Sequence, residues 1–249
     1  MIYKLILSMF LFLNILSAKT IHVAIASNMG HVIKKLKQQF ELEHPESKVL
    51  VSLGSSGKMT AQIMHGAPYE VFMSADMHFP QTLYAKGFAL TKPAVYAQGS
   101  LAMLSAKPQE FSKGLAMLED ARLKTIVIAN PKTAPYGKAT VEALKNAGLY
   151  DKISSKLVFG ESIAQTTSYA VHIANIGFIA KSSLFNPKML KYKEGIHWVE
   201  VDSKLYTPID QGIVMLKNAK KNKGAQAFYD FIFSPKAQKI LKNFGYKLP

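Results

Sequence analysis

The chain has 249 residues, 49% of them hydrophobic, a formal net charge of +15 and no cysteine, so neither disulfides nor a lipid-bearing cysteine are expected. That is enough apolar material for one large or two modest domains. Arg122 is the only arginine and the lysines are scattered; because reading bases and phosphates favours the arginine fork, nucleic acid is not an expected partner, whereas attraction of small anions is.

Lys4 precedes an apolar run from Leu5 to Leu16, interrupted by Ser8 and Asn14 and followed by the small pair Ser17-Ala18. This pattern predicts a secretory signal over residues 1–18, with a soluble, exported product beginning near Lys19. The run falls short of the roughly 20 apolar residues that a spanning helix requires. Next, Ile21, Val23 and Ile25 alternate with His22, Ala24 and Ala26 as a strand, and Ser27-Asn28 opens a helix with Val32, Ile33, Leu36 and Phe40 on one face. Val49, Val51 and Leu53 predict a second buried strand, which enters the uncharged turn Gly54-Ser55-Ser56-Gly57 and then a helix carrying Met59 and Ile63 as far as Gly66. A Ser-rich turn at such a place offers hydroxyls and unpaired backbone N–H groups to an anion; alternatively, Ser56 simply caps the helix.

The same grammar recurs downstream. Thr125 to Ala129 predicts a buried strand, Asn130 to Pro135 a turn, and Gly137 to Asn146 a helix with Val141 and Leu144 toward the core and Gly148 near its end. Leu157 to Phe159 reads as a strand feeding Gly160-Glu161-Ser162-Ile163, with a helix from Ala164 to Ala174. Alternating strands and helices imply an α/β fold with mostly parallel sheets and a ligand at the strand ends, here with four helix starts aimed at one cleft.

Catalytic patterns are missing. A phosphate loop requires Gly at position 52 and Ser or Thr at 59, where this chain has Ser52 and Met59. The seven histidines show no zinc-helix spacing, and His31, nearest the first turn, reads as an exposed residue of the first helical turn. Ser74, Asp76 and His78 have the residue types of a hydrolase triad, yet neighbours along one chain seldom adopt triad geometry and Gly-x-Ser-x-Gly is absent. Asp76 is expected instead to cap or brace the turn before a helix through Leu83. No enzymatic activity and no cofactor are expected.

The segments Ala24-Ile25-Ala26-Ser27-Asn28, Gly54-Ser55-Ser56-Gly57, Gly66-Ala67-Pro68, Ser74-Ala75-Asp76, Ala129-Asn130-Pro131 and Ala134-Pro135-Tyr136-Gly137 stand in an order shared with a known family. So do Glu161 to Thr166, Gly177-Phe178-Ile179-Ala180, Ser234-Pro235 and Phe244-Gly245-Tyr246. In these the chain resembles the periplasmic molybdate-binding proteins of ABC transporters over nearly all its length after residue 20. The resemblance implies a two-lobed periplasmic-binding-protein architecture with a ligand cleft between lobes: residues 19–96 with 208–249 in lobe 1, residues 97–207 in lobe 2, and crossings near Tyr96 and Thr207. It implies capture of molybdate, and of tungstate too, by a periplasmic monomer that hands the ion to an ABC permease and its ATPase. It also implies that Ser27 and Ser56 give hydroxyl donors, Asn28 and Ser55 help, and Tyr136 and Ile163 give backbone N–H groups, with molybdenum present only inside the oxyanion. Glu161 is expected to be structural, since a carboxylate facing a dianion repels it. The second-lobe tyrosine hydroxyl of some members is replaced by Ala180, and members similar here carry a tyrosine at the position of Tyr136, whose ring would close the pocket. Met29-Gly30-His31 also departs from the family's usual run. Another oxyanion such as sulfate or thiosulfate, or an exported sensor without transport, remains an alternative.

Overall fold

The computed structural model describes residues 19–249; the expected signal over residues 1–18 lies outside them. The chain opens with β1 (Lys19–Ala26), α1 (Val32–Glu43), β2 (Ser47–Gly54), α2 (Ser56–Met64), β3 (Val71–Met73), α3 (His78–Ala85) and β4 (Ala94–Gly99). It continues through β5 (Leu101–Leu104), β6 (Ile126–Ala129), α4 (Pro135–Asn146), α5 (Tyr150–Ile153), β7 (Leu157–Gly160), α6 (Ile163–His172), β8 (Ile176–Ala180) and β9 (Trp198–Glu200). It closes with β10 (Ile209–Met215), α7 (Lys223–Ile232) and α8 (Pro235–Asn243).

These strands form two sheets of one design, ordered β2-β1-β3-β10-β4 and β7-β6-β8-β5-β9. In the first, β1 lies parallel to β2 and β3, while β10 runs antiparallel to β3 and β4. In the second, β6 lies parallel to β7 and β8, while β5 runs antiparallel to β8 and β9. The backbone passes between sheets at Ser100, beyond Tyr96, because β4 stays paired with β10 through Gly99; it returns between Glu200 and Ile209.

Helices cover both faces of each sheet, which explains where simple alternation fails. In β1, Val23 to Ala26 are all buried, since α1, α7 and α8 pack on one face and α2 and α3 on the other. On β2 the reverse holds: it is an edge strand, and Leu53 is 48% exposed rather than buried. Phe40 of α1 meets Phe228 of α7 edge-on at 5.2 Å between centroids, a geometry suited to the ring quadrupoles. Ser27-Asn28 open not the α-helix itself but a 3-10 turn, Ser27–Met29, and α1 begins at Val32. Helices α4 and α6 each start earlier than the sequence pattern suggests, at Pro135 and Ile163. Pro135 is suited to the first helical position, where its missing N–H has no intrahelical acceptor to lose.

The first sheet depends on a polar node. Asn222 accepts the Gly224 N–H at 3.0 Å, capping α7, and donates to the Thr20 carbonyl at 3.0 Å and to Glu70 at 2.8 Å. The other oxygen of Glu70 accepts the His22 N–H at 2.9 Å. Replacing Asn222 removes a cap and leaves a buried carboxylate half-satisfied, so Asn222→Ala should lower unfolding free energy by about 1–3 kcal/mol. Denaturant melts should show this as a lower midpoint, with exposed Lys221→Ala as the near-neutral control.

Candidate functional site

Four strands deliver the site. Parallel β1, β2, β6 and β7 each end at a turn facing the other lobe, and each turn leads into a helical segment. The first N–H groups of a helix have no intrahelical acceptor, and the summed peptide dipoles make that end favourable for an anion.

After β1, Ser27 and Asn28 are both buried. The Ser27 hydroxyl oxygen accepts the Ala164 N–H from the other lobe at 3.4 Å. Asn28 donates both side-chain N–H groups within lobe 1, to Gln211 Oε1 and to the Tyr246 hydroxyl, each at 2.8 Å. After β2, Ser55 takes the N-cap position of α2, but its buried hydroxyl caps nothing and has no hydrogen-bond partner. Ser56 is the first residue inside the helix. Its Oγ accepts the Ala75 N–H at 3.0 Å, which leaves its own hydrogen free to be donated. The capping alternative for Ser56 therefore does not describe this turn.

In lobe 2, a Cβ at Gly137 would collide with the Ala129 carbonyl, so only glycine lets α4 start directly on the end of β6. This close approach sets Tyr136, the second helical residue, against lobe 1 with its N–H unbonded within the helix. At the start of α6, Ser162 accepts the Gln165 N–H at 3.3 Å, and Ile163 is the first helical residue. Glu161 points outward and pairs with Lys58 across the lobes, both side chains being more than half exposed.

The six expected residues, Ser27, Asn28, Ser55, Ser56, Tyr136 and Ile163, line one small, tightly closed cavity of about 10 Å³. The rest of its wall is Ala26, Gly54, Ala75, Ala134 and Pro135, so no charged side chain lines it. The lobes touch beside it, where the Gly57 N–H donates to the Thr133 carbonyl at 2.9 Å. A larger crevice of about 240 Å³ lies alongside, lined by Asp76, His78, Lys138, Glu142 and Asp210. Its mixed charges and scattered groups lack the convergence of the smaller cavity.

Neighbouring groups behave as braces. Asp76 accepts the Ser74 hydroxyl at 3.0 Å and the Phe79 N–H at 3.2 Å, and burial raises its pKa. His78 is exposed and stacks edge-on against Phe79, so these three residues form no triad. His31 is held beside Asn186 of lobe 2, and burial together with Lys34 and Lys188 lowers its pKa, which favours the neutral ring. Gln211, Tyr246, Ser182 and Ala164 also reach the site residues. Tyr246 stands in a segment that carried the family resemblance, whereas Gln211 left no signal in the sequence.

The Tyr136 hydroxyl is buried near Tyr246 without a hydrogen bond of good geometry. Burial holds its pKa well above the usual phenol range, so the group stays neutral. An unpaired buried hydroxyl costs about 1–3 kcal/mol. Tyr136→Phe should therefore leave the melting temperature of the ligand-free protein unchanged or raise it, as differential scanning calorimetry would record.

Residues 21–247 match the family of bacterial extracellular solute-binding proteins. The molybdate-binding protein ModA of Azotobacter vinelandii is 40% identical over 233 residues, covering 93% of this chain and 91% of that one. ModA of Rhodobacter capsulatus is 36% identical over 92% of this chain and 89% of its own. The solved structure of the Azotobacter vinelandii periplasmic molybdate-binding protein superposes with a TM-score of 0.85 at 34% identity, covering 92% of this chain and 99% of that one. With two sheets meeting at an uncharged cavity and a family match spanning nearly all the described residues, this chain belongs to the bacterial extracellular solute-binding proteins.

Proposed function

We propose that this protein captures molybdate, and tungstate with it, outside the cytoplasmic membrane and presents the ion to the permease and ATPase of an ABC importer. The observation that carries the reading is the cavity wall, in which serines and helix-start residues from both lobes meet with no charged side chain among them. A tetrahedral dianion without a proton needs donors only. Helix starts and hydroxyls supply them, and the buried setting strengthens each charge-assisted bond. A countercharge is unnecessary, and a cofactor has no step to serve.

In this reading the Ser27 and Ser56 hydroxyls donate from lobe 1, with Asn28 and Ser55 beside them, and the Tyr136 and Ile163 N–H groups donate from lobe 2. The free hydrogen of Ser56 supports its part, because the Ala75 N–H already occupies the oxygen. Glu161 is kept off the ion by Lys58. The kinship with the two ModA proteins supports molybdate over other oxyanions. The scattered positive charge of the chain draws anions toward the surface, an effect screened beyond about 8 Å at physiological salt.

Titration calorimetry with molybdate, tungstate, sulfate and phosphate tests the assignment: the first two should bind and the last two should not. Ser56→Ala should weaken molybdate binding roughly ten- to a hundredfold, the loss of a charge-assisted donor. Lys58→Ala should change it about fivefold at most, since the exposed pair with Glu161 is weak. Melts of both variants without ligand control for the Ala75 N–H that Ser56→Ala leaves unpaired. Abolished binding in Lys58→Ala with binding kept in Ser56→Ala would mean that the ion is held by charge.

Donors from two lobes around one ion also require closure, because an ion that touches both lobes binds the closed form more tightly than the open one. Small-angle scattering should give a smaller radius of gyration with molybdate than without. An unchanged radius under saturating molybdate would indicate a receptor already closed.

A further inference from the structure

The C-terminal tail beyond α8 makes buried polar contacts to which the oxyanion reading gives no role. Its backbone lies along β4 just before the passage between sheets: the Gln98 N–H donates to the Lys247 carbonyl at 2.8 Å, and the Lys247 N–H donates back at 2.9 Å. Gly245 adopts φ +77°, and a Cβ there would also collide with the Phe185 ring, in the 3-10 segment Lys181–Phe185 that follows β8 in lobe 2. Glycine is thus required twice over at this position. The turn it makes carries Tyr246, 3% exposed, into the space between Asn28 and that lobe 2 segment.

The bonds around Tyr246 have a direction. Its oxygen accepts one Asn28 side-chain N–H at 2.8 Å, its own hydrogen goes to Ser182 Oγ at 3.1 Å, and Ser182 donates to the Asn28 carbonyl at 3.4 Å. The second Asn28 N–H goes to Gln211, fully buried where the register between β10 and β4 shifts. Such irregularities re-aim a side chain. Gln211 cannot turn its amide over, because its nitrogen donates to the Ile209 carbonyl at 2.9 Å and to that of Ala75 at 3.4 Å. Its oxygen must therefore face Asn28. Both N–H groups of the Asn28 amide are consequently committed, and Oδ1 is left buried and unpaired. With both side-chain N–H groups held in this way, the donor that Asn28 has left for the ion is its backbone N–H, at the second residue of the 3-10 turn, and the clamps fix where that turn sits. Burial pushes the Tyr246 pKa up to about 12, so its hydrogen stays in place at any physiological pH.

We propose that Tyr246, backed by Gln211, is a positioning residue of the oxyanion site: it fixes the Asn28 side chain in the cavity wall and, through Ser182, ties that wall to lobe 2. The proposal rests on the oxyanion reading above. It assigns the tail a part in affinity, exerted through Asn28.

A double-mutant cycle read by molybdate titration tests it, using the parent, Tyr246→Phe, Asn28→Ala and the double variant of the full mature chain. Tyr246→Phe should weaken binding about three- to tenfold in the parent, the loss of one buried hydrogen bond. It should change binding by less than about twofold when Asn28 is already alanine. Equal weakening in both backgrounds would mean that Tyr246 is merely structural, and unchanged or tighter binding in Tyr246→Phe would overturn the proposal too. Should Tyr246→Phe fail to fold, Ser182→Ala cuts the same link from the lobe 2 end and must show the same dependence on Asn28. A parent that binds neither molybdate nor tungstate would bring down the oxyanion reading and this proposal together; a parent that binds but shows an additive cycle would bring down this proposal alone.

Discussion

A buried polar group without a partner is costly, and this molecule keeps several of them around one small space. The Ser55 hydroxyl has no partner, and the first residues of α2, α4 and α6 line the same cavity, while the Tyr136 hydroxyl is buried deeper, against Gly99. Each such group costs on the order of 1–3 kcal/mol when left dry. Much of the remaining architecture makes that arrangement tolerable. Parallel strands bring their carboxyl ends together, helices on both faces hold them rigid, and the close seat of α4 on β6 at Gly137 prevents the helix start from relaxing away. An anion entering such a place finds donors already aimed, so little reorganisation is required of the protein.

Neutral walls and a strongly basic chain are compatible because they act at different distances. The lysines are spread over the molecule, and Lys58, the one nearest the turn after β2, is drawn sideways to Glu161. A lysine inside the cavity would bind many anions by charge alone. A wall of fixed donors discriminates by geometry and by whether the ligand carries a proton, since a protonated oxygen needs an acceptor. Attraction from afar and selection at contact are thus separate tasks, carried out by different residues.

Much of this was legible in the residues because the site is local in sequence. A strand, turn and helix reading was enough to aim four helix starts at a common cleft, whereas the choice of Ser27, Asn28, Ser55, Ser56, Tyr136 and Ile163 came from the family resemblance. Three features resisted. The exposure of Leu53 depends on β2 being an edge strand, which no window of residues reveals. Ser56 was ambiguous between cap and donor until the Ala75 N–H, 19 residues away, was seen to occupy its oxygen. Gln211 lies 183 residues from Asn28 along the chain, and its orientation depends on a register shift in β10 that leaves no mark in hydrophobic periodicity.

The strand order of the first sheet also dictates an order of assembly. β10 lies between β3 and β4, so that sheet cannot be completed until residues 209–215 are available, although its first strand begins at Lys19. The second sheet draws all its strands from the uninterrupted stretch Leu101 to Glu200 and has no such wait. Pairings between distant residues bear the larger loop-closure entropy and form more slowly. The lobe that supplies Ser27 and Ser56 is therefore the late one to finish, and a chain still being threaded from its N-terminus lacks the strand required to lock that lobe shut.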